Sequence, residues 1–136
     1  MKIIKSILAF TVVFFFIGSS YSYAEDQRPE HLLDGRSFEY HYQNGSGISI
    51  KFYDGKLQYE WIAGQPKGNM GKDIPYRSRK IGDEMYIVNF HEKEKPDYVT
   101  LVFNFNQNVM YSSAILRYGT EKEKTSFSGG IIEHVK

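Results

Sequence analysis

Tyr40 and Tyr42 stand two apart, and residues two apart on a β-strand point the same way, so the two phenols aim together with Phe38. Asn44 and Gly45 follow. Both tolerate the positive φ of a type I′ hairpin, which predicts that the strand ends there and turns back. Two phenols facing a barrel interior either grip a small ligand or fill a core. Glu92 is the one acid that continues an inward stripe, after Tyr86, Val88 and Phe90. Beside an aromatic cavity, desolvation favours the protonated carboxyl, which could then act as a general acid. The other reading is that Glu92 opens the solvated run Glu92, Lys93, Glu94, Lys95.

Other chemistries lack their residues. His31, His41, His91 and His134 are scattered, with His41 and His91 on the faces opposite the inward stripes, so no three or four ligands converge for zinc and no metal is expected. Ser112 and Ser113 have no nucleophile elbow around them. Gly64, Gly68 and Gly71 are not followed by the Lys and Ser or Thr of a phosphate loop. The chain has no cysteine, which removes disulfides, thiol nucleophiles, thiolate metal sites and a lipidated N-terminal cysteine. No cofactor is expected.

These side chains must be positioned by short alternating segments. From Arg36 onward, apolar residues recur every second position between turn residues spaced roughly 10 to 14 apart, the pattern of an all-β sandwich or barrel. Eight strands are predicted, over residues 36–42, 47–53, 56–62, 74–81, 84–91, 97–105, 109–116 and 125–134. The inward set is strongly aromatic: Phe38, Tyr40, Tyr42, Phe52, Tyr59, Trp61, Tyr86, Phe90, Phe103 and Phe105. Buried phenols need partners for their hydroxyls, which points to water, polar side chains or a ligand inside. Of these, Tyr40, Tyr42, Tyr59, Trp61, Tyr86 and Phe90 are the candidate ligand-binding residues, and Glu92 is the candidate catalytic one. The glycine-rich stretch after the third strand reads as a mobile loop of about ten residues at the barrel mouth. Gly129 and Gly130 predict a bulge or sharp bend in the last strand. Eight antiparallel strands fit a single up-and-down barrel, whose interior packs solid or holds one small ligand. Residues 25–35 form a cap segment, with a short helical turn opened by Pro29 and stopped by Gly35.

The ends and the charge bound the rest. Lys2 and Lys5 precede an apolar run of 11 residues, 7–17, and Ser22, Tyr23, Ala24 supply small residues at a cleavage site. That is a secretory signal peptide, well short of the roughly 18–20 residues of a membrane span, with cleavage expected after Ala24. The product would be periplasmic or extracellular, without stable membrane insertion. Removing residues 1–24 takes two lysines and no acid, leaving 15 basic against 16 acidic residues, a formal charge of −1. The signs are interspersed, so nucleic acid is not an expected partner. The remaining 112 residues suffice for one domain. Nothing in them fixes the oligomeric state, a homodimer included.

The segments Tyr40-His41-Tyr42-Gln43-Asn44-Gly45 and Tyr86-Ile87-Val88-Asn89-Phe90-His91-Glu92 resemble the calycin (lipocalin-like) barrels of the phenolic acid decarboxylases and of the molybdenum cofactor biosynthesis protein F-like (MoaF-like) group. The shared pattern is an aromatic first strand ending in Asn-Gly, a tyrosine-containing third strand, and a fifth strand of Tyr-x-Val-x-aromatic-x-Glu. It covers residues 33–116. In the decarboxylases, the resemblance implies, two first-strand tyrosines and an arginine position a hydroxycinnamate while a glutamate handles the proton. Tyr40, Tyr42 and Glu92 would match. The arginine has no counterpart; Lys67 and Lys72 are the nearby cations, and lysine lacks the planar fork that grips a carboxylate bidentately. In this respect, and in its shorter C-terminal end, the chain is more similar to the MoaF-like group.

The leading expectation is an exported barrel binding a small aromatic or amphipathic molecule. The alternative is a cofactor-free, non-oxidative decarboxylase of phenolic acids. A third reading, a protein-interaction module, requires a large exposed apolar patch, which outward residues such as Ser49, Lys51 and Gln58 do not supply.

Overall fold

Asp54 and Gly55 both adopt positive φ, 48° and 70°, the backbone of a type I′ turn whose twist matches that of its flanking strands. Antiparallel hairpins, of this and other turn types, build the described residues. A computed structural model describes residues 30–136; the expected leader, its cleavage point and residues 25–29 of the cap segment lie outside the described residues. The strands are β1 (Ser37–Tyr42), β2 (Gly47–Tyr53), β3 (Lys56–Ala63), β4 (Met70–Gly82), β5 (Met85–Glu92), β6 (Asp97–Asn104), β7 (Val109–Leu116) and β8 (Lys124–Glu133). Each pairs antiparallel with the next, and β1 with β8, closing an eight-stranded up-and-down barrel. Closure leaves no unpaired sheet edge.

One end of the barrel is packed solid. Phe38, Phe52 and Phe103 are buried there, with ring centroids 4.9 to 6.4 Å apart, and Tyr76 packs edge-on against Phe52. The segment before β1 seals this end. Leu33 is fully buried, and its N–H is met by the Tyr76 hydroxyl, which itself donates to Asp34 at 2.8 Å. Ser78 on β4 donates from Oγ to the carbonyl of Glu30 and accepts from the N–H of Leu32. Over Leu32–Gly35 the chain makes turns, closed by Asp34 N–H to His31 O and Arg36 N–H to Leu33 O, in place of the helical turn predicted for the cap.

Three further features differ from expectation. The Asn44-Gly45 turn places only Gly45 at positive φ, 85°, and is closed by Gly45 N–H to Tyr42 O, so it is not a type I′ turn. The glycine-rich loop is shorter than predicted, because β4 begins at Met70 and absorbs Gly71; a register shift opposite Leu57 and Tyr59, with Asp73 at φ 54°, lets Gly71 and Ile74 both face inward. Gly129 and Gly130 run in regular register with β7, so no bulge forms there. Gly130 instead answers a close backbone crossing: a Cβ would collide with the His41 carbonyl of β1.

Candidate functional site

The other end of the barrel opens into a cavity of about 1440 Å³. Its existence follows from an imbalance between walls. Inward positions of β1, β3 and β5 carry Tyr40, Tyr42, Tyr59, Trp61 and Phe90, whereas those of β7 and β8 carry Ser112, Ala114, Ser126 and Ser128. Small side chains opposite large ones leave room that the rings do not fill. The cavity is therefore apolar on one side and hydroxyl-lined on the other, the general character of a small-molecule site.

At the floor, Tyr40 is buried and its ring stands edge-on to Tyr42, centroids 5.5 Å apart, while Tyr42 stacks on Trp61 at 6.0 Å. The Tyr40 and Tyr42 hydroxyls lie near enough to influence each other's titration, and Ser112 that of Tyr42. Burial pushes the Tyr40 phenol well above the ordinary tyrosine value, and the neighbouring Tyr42 adds to this. Burial raises Tyr42 as well, against Ser112 and Tyr40, which favour its ionised form.

At the mouth, three side chains converge. Tyr59 donates to Glu92 Oε2 at 2.6 Å, Lys95 Nζ donates to Tyr59 Oη at 2.9 Å, and Lys95 Nζ lies 3.0 Å from Glu92 Oε1. Tyr59 is on β3 and Glu92 on β5, with β4 between them. Their contact depends on Gly71 of β4: a Cβ there would lie 2.5 Å from Tyr59 Cε1. Burial, then the bond donated to Glu92, push the Tyr59 phenol up to about 12. Burial pulls Lys95 down, but its bonds to Tyr59 and Glu92 outweigh this and leave the ammonium above the ordinary lysine value. Lys95 is thus charged and fixed, and its Nζ also reaches the Met70 carbonyl at 3.4 Å.

Six of the seven predicted site residues, Tyr40, Tyr42, Tyr59, Trp61, Phe90 and Glu92, line this one cavity. Tyr86 does not. It faces inward at the opposite, solid end, where the Arg36 guanidinium lies 5.1 Å over its ring and 4.9 Å over that of Phe105. Glu92 is also not the isolated desolvated carboxyl that alternation suggested, because it sits in an ion pair. The cation comes from Lys95, at the end of the charged run, and not from Lys67 or Lys72. Among the described residues no three His, Cys, Asp or Glu side chains are grouped to hold a metal ion.

A closed eight-stranded antiparallel barrel, solid at one end and hollow at the other, defines the calycin-like class of single-cavity barrels. Within it the chain belongs to the MoaF family, since the model of the MoaF N-terminal domain matches residues 26–114. No curated protein matches the chain. Among solved structures, one from Burkholderia vietnamiensis, described as a "putative beta-lactamase", superposes with a TM-score of 0.66 at 16% identity, over 77% of this chain and 97% of that one. At that identity the likeness is one of fold.

Proposed function

We propose that this chain is an exported binding barrel that admits one small aromatic or amphipathic molecule through its open end and holds it against Tyr40, Tyr42 and Trp61. The observation that carries this reading is the cavity of about 1440 Å³ with aromatic and hydroxyl-bearing walls. Export rests on Lys2, Lys5, the apolar residues 7–17 and Ala24. Trp61 is the chain's only tryptophan, so its fluorescence reports on the cavity. Titrating the purified protein with p-coumarate, ferulate and decanoate should give a saturable Trp61 signal for at least one of them, abolished by filling the cavity with Ala114→Phe. No saturable change with any of the three, or one unaltered by Ala114→Phe, would reject the reading.

Decarboxylation of a phenolic acid is the second reading, favoured by the meeting of Tyr40, Tyr42 and Glu92 in one cavity. In that reaction the carboxylate leaves as carbon dioxide and the vacated carbon takes a proton, with Glu92 as its donor. A proton on Glu92 would have to compete with the Lys95 ion pair, which is why binding without chemistry is placed first. Vinyl phenol formed from p-coumarate and lost in Glu92→Gln would reverse the order.

A further inference from the structure

We infer that the outer face of β6, β7 and β8 is a docking surface for a second copy of this chain. Outward positions on these strands are Tyr98, Thr100, Val102 and Asn104; Val109, Tyr111, Ser113 and Ile115; and Thr125, Phe127, Gly129, Ile131 and, at the end of β8, Glu133. Only Glu133, at the edge, is charged. The opposite wall is different, with Lys51, Lys56, Glu60, Lys72, Arg77 and Arg79 facing solvent. On the β6–β8 face charge is thus confined to the borders.

The uncharged side exposes large apolar groups together. Phe127 is 88% exposed, Ile131 58%, Tyr111 56% and Tyr118 55%. Cross-strand pairing makes them contiguous: Tyr98 faces Ile115, Val102 faces Tyr111, and Val109 faces Ile131, while Tyr118 packs edge-on to Tyr98 at 5.7 Å. With about 150–250 Å² per aromatic side chain, the exposed parts of these residues come to on the order of 600 Å². That is at the upper limit of the patches monomers expose and approaches the roughly 800 Å² each partner contributes to a stable interface.

The shape suits a twofold pair. Phe127 stands beside Ser113, and Ser113 beside Thr100, so a protruding ring adjoins a shallow floor of small side chains in one cross-strand row. In an isologous contact the ring of each copy rests on the floor of the other. A closed barrel has no strand edge to offer, which leaves face-to-face packing as its route to self-association. The patch borders carry Glu123 and Glu133 along with Lys124 and Lys136, a mixed rim and not the cationic collar that favours an anionic membrane surface.

Sedimentation equilibrium of the purified protein is the test. Wild type should sediment as a dimer, Phe127→Lys and Ser113→Lys should each raise the dissociation constant by about 30-fold or more, and Lys51→Glu on the charged wall should leave it unchanged. Phe127 and Ser113 are exposed, and circular dichroism confirms that each variant is folded; if one is not, the other decides. A monomer at every concentration, a dimer indifferent to both substitutions, or a monomer that floats with phosphatidylcholine vesicles unless Phe127 is replaced would overturn the assignment.

Discussion

Tyr59 reaches Glu92 across an intervening strand, donating to its carboxylate at 2.6 Å, because Gly71 on that strand has no side chain to hold the ring back. Gly71 is not at positive φ, so its replacement tests space and not backbone strain. In Gly71→Ala the Tyr59 ring must swing away, and Ile74 Cδ1, 2.8 Å from the new carbon, must give as well. The expected result is a Tyr59 phenol that titrates closer to its ordinary value, read by tyrosinate absorbance against a Tyr59→Phe control.

Alkaline stability should fall in a definite window. Tyr59 is raised from 10.0 to about 12, so the folded protein holds this proton more tightly than the unfolded chain does. Its contribution is complete below pH 10 and is lost as pH rises from 10 through about 12. Tyr40, Tyr42 and Tyr76 are shifted in the same direction and add to the slope. Urea denaturation at successive pH values should show it, with a shallower fall in Tyr59→Phe.

Lys95→Met should affect the site more than the fold. The lysine side chain is 40% exposed, and pairs of that kind contribute no more than about 1 kcal/mol. Urea midpoints should therefore move little, whereas binding of a carboxylate-bearing probe such as p-coumarate should weaken relative to an uncharged phenol of the same size.

Two adjacent glycines should behave in opposite ways. A Cβ on Gly130 collides with the β1 backbone at His41, which cannot move without disturbing the strand pairing, so Gly130→Ala should cost about 2–3 kcal/mol. On Gly129 it meets the exposed Tyr111 ring at 3.3 Å and the Met110 carbonyl at an ordinary 3.6 Å, so Gly129→Ala should be neutral or slightly stabilising, as alanine is favoured over glycine within a strand. Paired urea titrations decide.

At the solid end, Tyr76→Phe leaves the buried N–H of Leu33 without its partner and removes a bond to Asp34. An unsatisfied buried donor costs about 1–3 kcal/mol. Thermal and urea unfolding should register that loss with Trp61 fluorescence of the folded state unchanged.

Alternation and turn residues made the barrel legible, because a period of two separates inside from outside whatever the neighbours are. They do not report height along the barrel axis, and so Tyr86, inward as read, lies at the solid end and away from the cavity. Tyr76 is buried although alternation does not mark it as inward, since it stands between Pro75 and Arg77 just past the register shift at Asp73. Lys95 sits in a run that reads as solvated charge; only the fold shows that a hairpin carries it back over Glu92. The cavity also has a signature in the sequence: the small inward residues Ser112, Ala114, Ser126 and Ser128 on consecutive strands.

The first and last described strands are tied together beside the sealed end, where Ser37 and Lys136 exchange backbone hydrogen bonds. Lys136 therefore lies at the base of the barrel. A tag, a surface linkage or a fused domain attached at Lys136 would hold the barrel like a cup by its foot, with its rim turned away from the attachment.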